Sequence, residues 1–390
     1  MLDESLLDAP DELTRADRLG LLRGAAEAGA RVRTALRNSA EAGVTRLSPE
    51  GRPRAVLMAG SGTAATGTAD LIAALAGPAA PVTRLQPTGV APAAGALRWT
   101  LPGWAGPVDL LLIVTTEGTE PGLSLLADQA YRRGCTVVAV APGESPLSES
   151  LGGSRGLLVP MATAPYARYE HGDADAGAAA PGSLWALLVP LLVLLDRAGL
   201  LTAPAETLQL VADRLDSVAE RCGPAVATYS NPAKTLAAEL ADSLPLIWTE
   251  GTAAAPAGRR FAAVLAEVTG RPALAAELPE AIPSHGALLA GDLAGGEAGD
   301  DDFFRDRVEE RQALRARIVL LRDRPAGGLT AAPAARELAS GHDTAISELE
   351  PEEGSELEAL AELIAVTDFA TVYLALAGGT PRLTPGGTPA

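Results

Sequence analysis

The chain is predicted to fold as an α/β protein made of two doubly wound parallel sheets flanked by helices, and three observations predict it. Apolar runs such as VDLLLIV, Val108–Val114, are continuous rather than alternating, as expected for strands buried on both faces. Each such run is followed by a glycine- or hydroxyl-rich turn and then by a segment with helical spacing, the rhythm of a parallel sheet with crossover helices. The rhythm stops once and restarts, so the 390 residues divide into two α/β halves.

Residues 1 to about 45 carry Leu6, Leu7, Leu13, Leu19, Leu21, Leu22 and Leu36 among alternating charges, which predicts amphipathic helices packed on the sheet that follows. RAVLMAG, from Arg54, is a first strand, and TAATGTADLIAALAG its helix. VDLLLIV is a second strand, TTEGTEPG a turn, LSLLADQAYRRG a helix closing at Gly134, and CTVVAVA, Cys135–Ala141, a third strand. LWALLVPLLVLL, Leu184–Leu195, reads as a helix buried between layers, and two amphipathic helices follow, AETLQLVADRLDSVAERCG and NPAKTLAAELADS. The alternation then resumes: LPLIWTEG strand, GRRFAAVLAEVTG helix, RARIVLLRDR strand, TAISELEP weak strand and ELEALAELIAVTDFATVYLALAG long helix. Gly291–Asp302 and the tail TPRLTPGGTPA lack periodicity and are expected to be mobile. The expected organisation is N-terminal helices at 1–50, a first domain at 51–200, linking helices at 201–240, and a second domain with a C-terminal helix and tail at 241–390.

Composition narrows the function. The formal charge of -18 repels polyanions, so nucleic acid is not an expected partner. Cys135 and Cys222, 87 residues apart, form neither a disulfide framework nor a CxxC pattern, and His171, His285 and His342 have no ligand spacing, so no metal is expected. MLDESLLDAPDEL has no basic segment leading into an apolar one, and the 12-residue run from Leu184 to Leu195 is too short to span a bilayer. A cytoplasmic protein without membrane contact is expected. Of the 31 basic residues, Lys234 is the single lysine, so any lysine chemistry must use it.

Two turns fall beyond the carboxyl ends of their strands, where doubly wound sheets take ligands. Gly60, Ser61, Gly62 and Thr63 allow a tight turn into a helix whose first amides can face an anion, and Thr115, Thr116, Gly118 and Thr119 add hydroxyls beside it. Either turn alone is as well read as an ordinary strand-to-helix connection. Together they point to a phosphate or sugar-phosphate pocket.

These residues resemble the sugar isomerase (SIS) family. VLMAGSGTAATGTADLI, DLLLIVTTEGTEPGLSLLADQAYRRGCTVVAVAPGESPLSE with Ser145, Pro146 and Leu147, and the second-half runs LPLIWTEG, RRFAAVLAEVTGRPALAAELPE, IVLLRDR and YLALAGG are similar in order and spacing to two-domain bifunctional phosphoglucose/phosphomannose isomerases. The resemblance implies a homodimeric, cofactor-free enzyme that binds a small sugar phosphate. Its first turn would supply a serine to the phosphate, where this chain has Ala64 beside Thr63; its second turn would read Ser-x-Ser-Gly-x-Thr, where this chain has Thr115, Glu117, Gly118 and Glu120. Two carboxylates next to a phosphate dianion cost roughly 1–4 kcal/mol per close pair. The resemblance further implies Glu267 as the base, without the asparagines that flank it in the family (here Ala266 and Val268), and His285 as the ring-opening acid, two residues later than expected. Arg168 loosely matches a substrate arginine, and the late family lysine has no counterpart. On the residues alone, a helical Glu267 is equally a solvated group and His285 in Pro-Ser-His-Gly a structural turn residue. The function expected first is interconversion of glucose 6-phosphate or mannose 6-phosphate with fructose 6-phosphate through an enediol; the alternative is a catalytically degenerate SIS-fold protein that binds sugar phosphates as a sensor or regulator or serves in an assembly.

Overall fold

The computed structural model describes residues 2–46, 51–90, 93–152, 156–161, 181–290, 315–323 and 328–379. Arg168, His171, Gly291–Asp302 and the C-terminal tail lie outside the described residues. The chain separates into two compact units, one of residues 19–219 and one of residues 220–390 joined by residues 1–18. Two helices open the chain, α1 (Glu4–Leu7) and α2 (Pro10–Ala16).

In the unit of residues 19–219, α3 (Leu21–Ala26) and α4 (Ala28–Glu41) precede β1 (Val56–Ala59), α5 (Gly62–Ala76), β2 (Val82–Leu85), β3 (Leu110–Val114), α6 (Pro121–Arg132), β4 (Thr136–Ala141), α7 (Pro146–Leu151), β5 (Leu157–Pro160), α8 (Ser183–Arg197) and α9 (Ala205–Arg221). The strand order is β2-β1-β3-β4-β5, and every pairing is parallel. Leu57, Ala59, Leu111, Ile113, Val137 and Ala139 pack on the apolar faces of α6 and α7. The residues between them, Val56, Met58, Leu110, Leu112, Val138 and Val140, are also buried, and α4 and α5 pack against α8. Side chains alternate along a strand, so burial on both faces is what makes these runs continuously apolar. The run that begins at Leu184 is buried from Ser183 to Leu195, as its composition predicts, and tolerates Pro190 inside the helix.

The second unit repeats the plan. After α10 (Pro232–Leu240) come β6 (Ser243–Glu250), α11 (Ala254–Thr269), β7 (Leu274–Glu277), α12 (Ala281–Ala290), β8 (Arg315–Arg322), α13 (Ala332–Gly341), β9 (Ala345–Leu349) and α14 (Glu356–Ala377). The order β7-β6-β8-β9 is again all parallel. Leu246, Trp248, Ile318 and Leu320 face α12 and α13. Ile247, Thr249 and Leu321 face α11, where Gly258 lets the helix approach: a Cβ there would stand 2.4 Å from the Thr249 methyl.

Helix α14 is long and apolar enough to cross a membrane by length and composition, yet it is buried along almost its whole length as a core helix. It packs with α10, α11, α1 and α2. The first two helices therefore lie elsewhere than predicted. They pack on helix α14 rather than on a sheet; Leu7 and Leu13 are fully buried in the second unit, the Asp3 amide donates to the Ala377 carbonyl at 2.8 Å, and Asp8 accepts from the amide and hydroxyl of Thr228 at 2.8 and 2.9 Å. A helix apolar all round needs cover on every side, and these leucines provide it.

One charge pair lies inside this helical layer. Arg260 of α11 holds Asp368 of α14 with two parallel bonds, 2.5 and 3.1 Å, both side chains about 5% exposed. Removing one partner leaves an uncompensated buried charge, whereas replacing both with apolar residues does not. Asp368→Ala is expected to cost about 3–5 kcal/mol in urea unfolding, and Arg260→Met/Asp368→Leu to recover most of that loss.

Candidate functional site

The order 2-1-3-4 sends the loops after the first and third strands of each sheet in opposite directions, leaving a crevice between them. In the first unit it lies between β1 and β3. Gly60 crosses β3 so closely that a Cβ would sit 2.3 Å from the Val114 carbonyl oxygen, so only glycine fits. Ser61 precedes α5 but does not cap it. Its hydroxyl donates instead to Glu120 at 2.9 Å. Thr115, buried at the end of β3, donates to the same carboxylate at 2.9 and 3.0 Å and accepts from the amides of Glu117 and Gly118 at 3.2 and 2.9 Å. Glu120 is 4% exposed. Glu117 turns away and accepts from Thr119 at 3.2 Å. Gly118 has φ +69 and lies against Ser145, which caps α7 in a capping box with Ser148. Thr63 and Thr116 are half-buried, and Gly62 is exposed with φ +82.

The matching crevice of the second unit lies between β6 and β8. Here Asp323, directly after β8, accepts from the amides of Ala253 and Ala254 at the start of α11, at 2.7 and 3.1 Å. Gly251, φ +114, has no room for a side chain: its Cβ would stand 1.3 Å from an Asp323 oxygen. Burial pushes the Asp323 carboxyl up, the two amides oppose that, and nearby Glu250 adds to it. Glu250 itself accepts from Thr330 at 2.7 Å, from Arg322 at 3.0 Å and from the Ala331 amide before α13. Burial raises its pKa, but these three partners outweigh burial and hold it below the usual glutamate range. Neither Asp323 nor Glu250 is singled out by the sequence. The available signal was the position of Asp323 after RARIVLLR, equivalent to that of TTEGTEP after VDLLLIV.

Glu267 lies in α11, 13 residues beyond Ala254, so about 20 Å along the helix from the end that Asp323 touches. Its Oε2 atom is buried without a hydrogen-bond partner. His285 lies in helix α12, not in the turn that Pro-Ser-His-Gly predicts, because Pro283 falls in the first helical turn, where its missing amide costs nothing. Its Nδ1 accepts from the indole N–H of Trp248 at 3.0 Å, with the rings 6.4 Å apart and tilted by 43°. That bond fixes the Nε2–H tautomer, and burial lowers the imidazole pKa. Since Trp248 faces α12 and its neighbours Ile247 and Thr249 face α11, the sheet lies between His285 and the helix that carries Glu267. One chain does not bring the two together.

Lys234 is fully buried. Its ammonium donates to the carbonyls of Pro224 and Val226 at 2.8 and 2.7 Å and lies 5.5 Å from the centre of the Tyr373 ring. Desolvation lowers its pKa, and the charge of Asp8 partly offsets that. The lysine secures the loop before α10. Among the described residues no three His, Cys, Asp or Glu side chains gather as metal ligands.

Residues 229–381 match the family described as the bacterial phospho-glucose isomerase C-terminal SIS domain. No curated protein matches the chain. Among solved structures, a candidate phosphosugar isomerase from Clostridium difficile is similar with a TM-score of 0.59 and 13% identity, covering 93% of this chain and 95% of that one. A hypothetical protein from Thermus thermophilus gives 0.59 at 16% identity over 98% and 96% of the two chains. A candidate phosphosugar isomerase from Silicibacter pomeroyi gives 0.56 at 16% identity over 93% and 98%. At these identities the likeness is one of fold, and it extends over both sheets.

The Trp248–His285 bond yields a pH dependence. An imidazole with a lowered folded pKa gives stability that is present above its unfolded value of about 6.5 and is lost as pH falls toward the folded one. Urea midpoints measured at pH 7.5 and 5.5 are expected to fall further for the wild type than for His285→Gln, and equal drops would remove His285 as the source.

Proposed function

We propose that this two-domain SIS-fold chain, with a C-terminal domain of the bacterial phosphoglucose isomerase type, is a sugar-phosphate-binding or regulatory protein that does not turn its ligand over. The observation that carries the reading is the arrangement around Trp248. Enediol isomerisation needs a carboxylate and an acid on one substrate. Here His285 is tied to Trp248 through Nδ1, and the second sheet stands between it and the helix of Glu267. The family lysine is missing, and the lone Lys234 is spent on two carbonyls. The expected ligand is a small sugar phosphate, with no cofactor, in a cytoplasmic homodimer.

A second reading has its own support. Glu267 Oε2 is buried and makes no hydrogen bond within the chain, so it is open to a partner from outside it. In a homodimer with shared sites, His285 of a second copy could meet Glu267 of the first, and the chain would interconvert glucose 6-phosphate or mannose 6-phosphate with fructose 6-phosphate without a cofactor.

Coupled assays with each hexose 6-phosphate, run beside calorimetric titration, separate the two. Saturable binding with no turnover is expected. Turnover that drops about 10²–10⁴-fold in Glu267→Gln would instead establish the isomerase.

A further inference from the structure

Both crevices hold a carboxylate of the chain itself, but the two are held differently. Asp323 lies on two backbone amides, in space that Gly251 keeps clear for it. It is part of the turn. Glu120 has no backbone donor among its hydrogen bonds: it is held by the Ser61 and Thr115 hydroxyls, both of which can rotate to another acceptor. No ion pair at the described residues neutralises it. Glu120 stands at the start of α6, just before Pro121, and its side chain crosses from the β3 loop to the β1 loop.

The two hydroxyls that hold Glu120 are the ones that line the gap between the loops, and a phosphate bound there would need them too. A phosphate oxygen and a carboxylate oxygen cannot both take the single proton of Thr115 or Ser61, and the two anions repel across a buried gap. Two amides of the second loop are engaged as well, since those of Glu117 and Gly118 already donate to Thr115.

We propose that Glu120 is the specificity-determining residue of this crevice. Its carboxylate is a resident stand-in for phosphate, and a phosphomonoester enters only by displacing it. The inference rests on the sugar-phosphate-binding reading and adds what sets the affinity. When the competent state is a minor one, apparent affinity falls by the fraction of molecules in that state. The crevice therefore responds only to high concentrations of phosphomonoester, and discriminates weakly between a phosphosugar and its free sugar.

The test uses the full chain. Wild type, Glu120→Gln and Glu120→Thr are titrated by calorimetry with inorganic phosphate, glucose 6-phosphate and glucose, after unfolding midpoints confirm that all three are folded. At least a tenfold gain in affinity for phosphate and for glucose 6-phosphate is expected in both variants, with none for glucose. Folded variants that bind either phosphate ligand no more tightly than the wild type would overturn the assignment, even if the wild type binds sugar phosphate without turnover and the wider reading stands. A gain in the variants alongside wild-type isomerase turnover would keep Glu120 in its role and overturn the wider reading instead.

Discussion

Where the loops after the first and third strands part, a parallel sheet exposes helix-starting amides and hydroxyls that must find acceptors, and this chain meets that need with its own carboxylates. The requirement is physical: a buried donor left without a partner costs about 1–3 kcal/mol. Asp323 satisfies two amides at the start of α11, and Glu120 satisfies two hydroxyls across the β1 and β3 loops. The local backbone is shaped around them. Gly251 exists because Asp323 fills the place of a side chain, and Gly60 because β1 and β3 leave no gap for one. In both crevices a carboxylate of the chain itself stands where these donors converge.

The second unit handles charge in the same way, by enclosing it with designated partners. Arg260 and Asp368 meet bidentately inside the α11–α14 layer, as the planar guanidinium allows. Lys234, a compact charge on a flexible stem, is matched by two carbonyls and an aromatic face rather than by a carboxylate. Tyr373 links these features, since its hydroxyl donates to the Cys222 carbonyl at 2.6 Å beneath the lysine. Burial pushes the Cys222 thiol up to about 11, so it carries no reactive thiolate. Polar groups that suggest chemistry when seen in the sequence are here mostly occupied in holding helices together.

What was legible followed burial. The central strands β1, β3, β4, β6 and β8 are covered on both faces and appear as unbroken apolar runs, so they can be read directly. The edge strands β2, β5 and β7 are not, because each is partly exposed and its residues, VTRL for β2 and LAAE for β7, have no two-sided pattern. The short α12 was hidden by Pro283 and Gly286, which signal a turn unless the proline falls in the first helical turn. In the candidate site the two loops could be located from glycines and hydroxyls, and the presence of Glu117 and Glu120 among them was visible. Which of the two turns inward was not, since both are equally acidic and only three residues apart.

By itself the sequence determined the α/β class, the repeated strand-helix rhythm, the rim on which the two loops lie and the resemblance that those loops carry, because hydrophobic periodicity and turn chemistry are local properties. Only the tertiary structure decided that Glu120 faces Ser61 and Thr115, that Asp323 seals the second crevice, that α1 and α2 join α14, and that a sheet lies between His285 and the helix of Glu267. Each of those depends on which strands become neighbours and which face of a strand a side chain takes. Strand order, register and helix packing bring together residues about 60 to 370 positions apart, and no local pattern encodes that pairing.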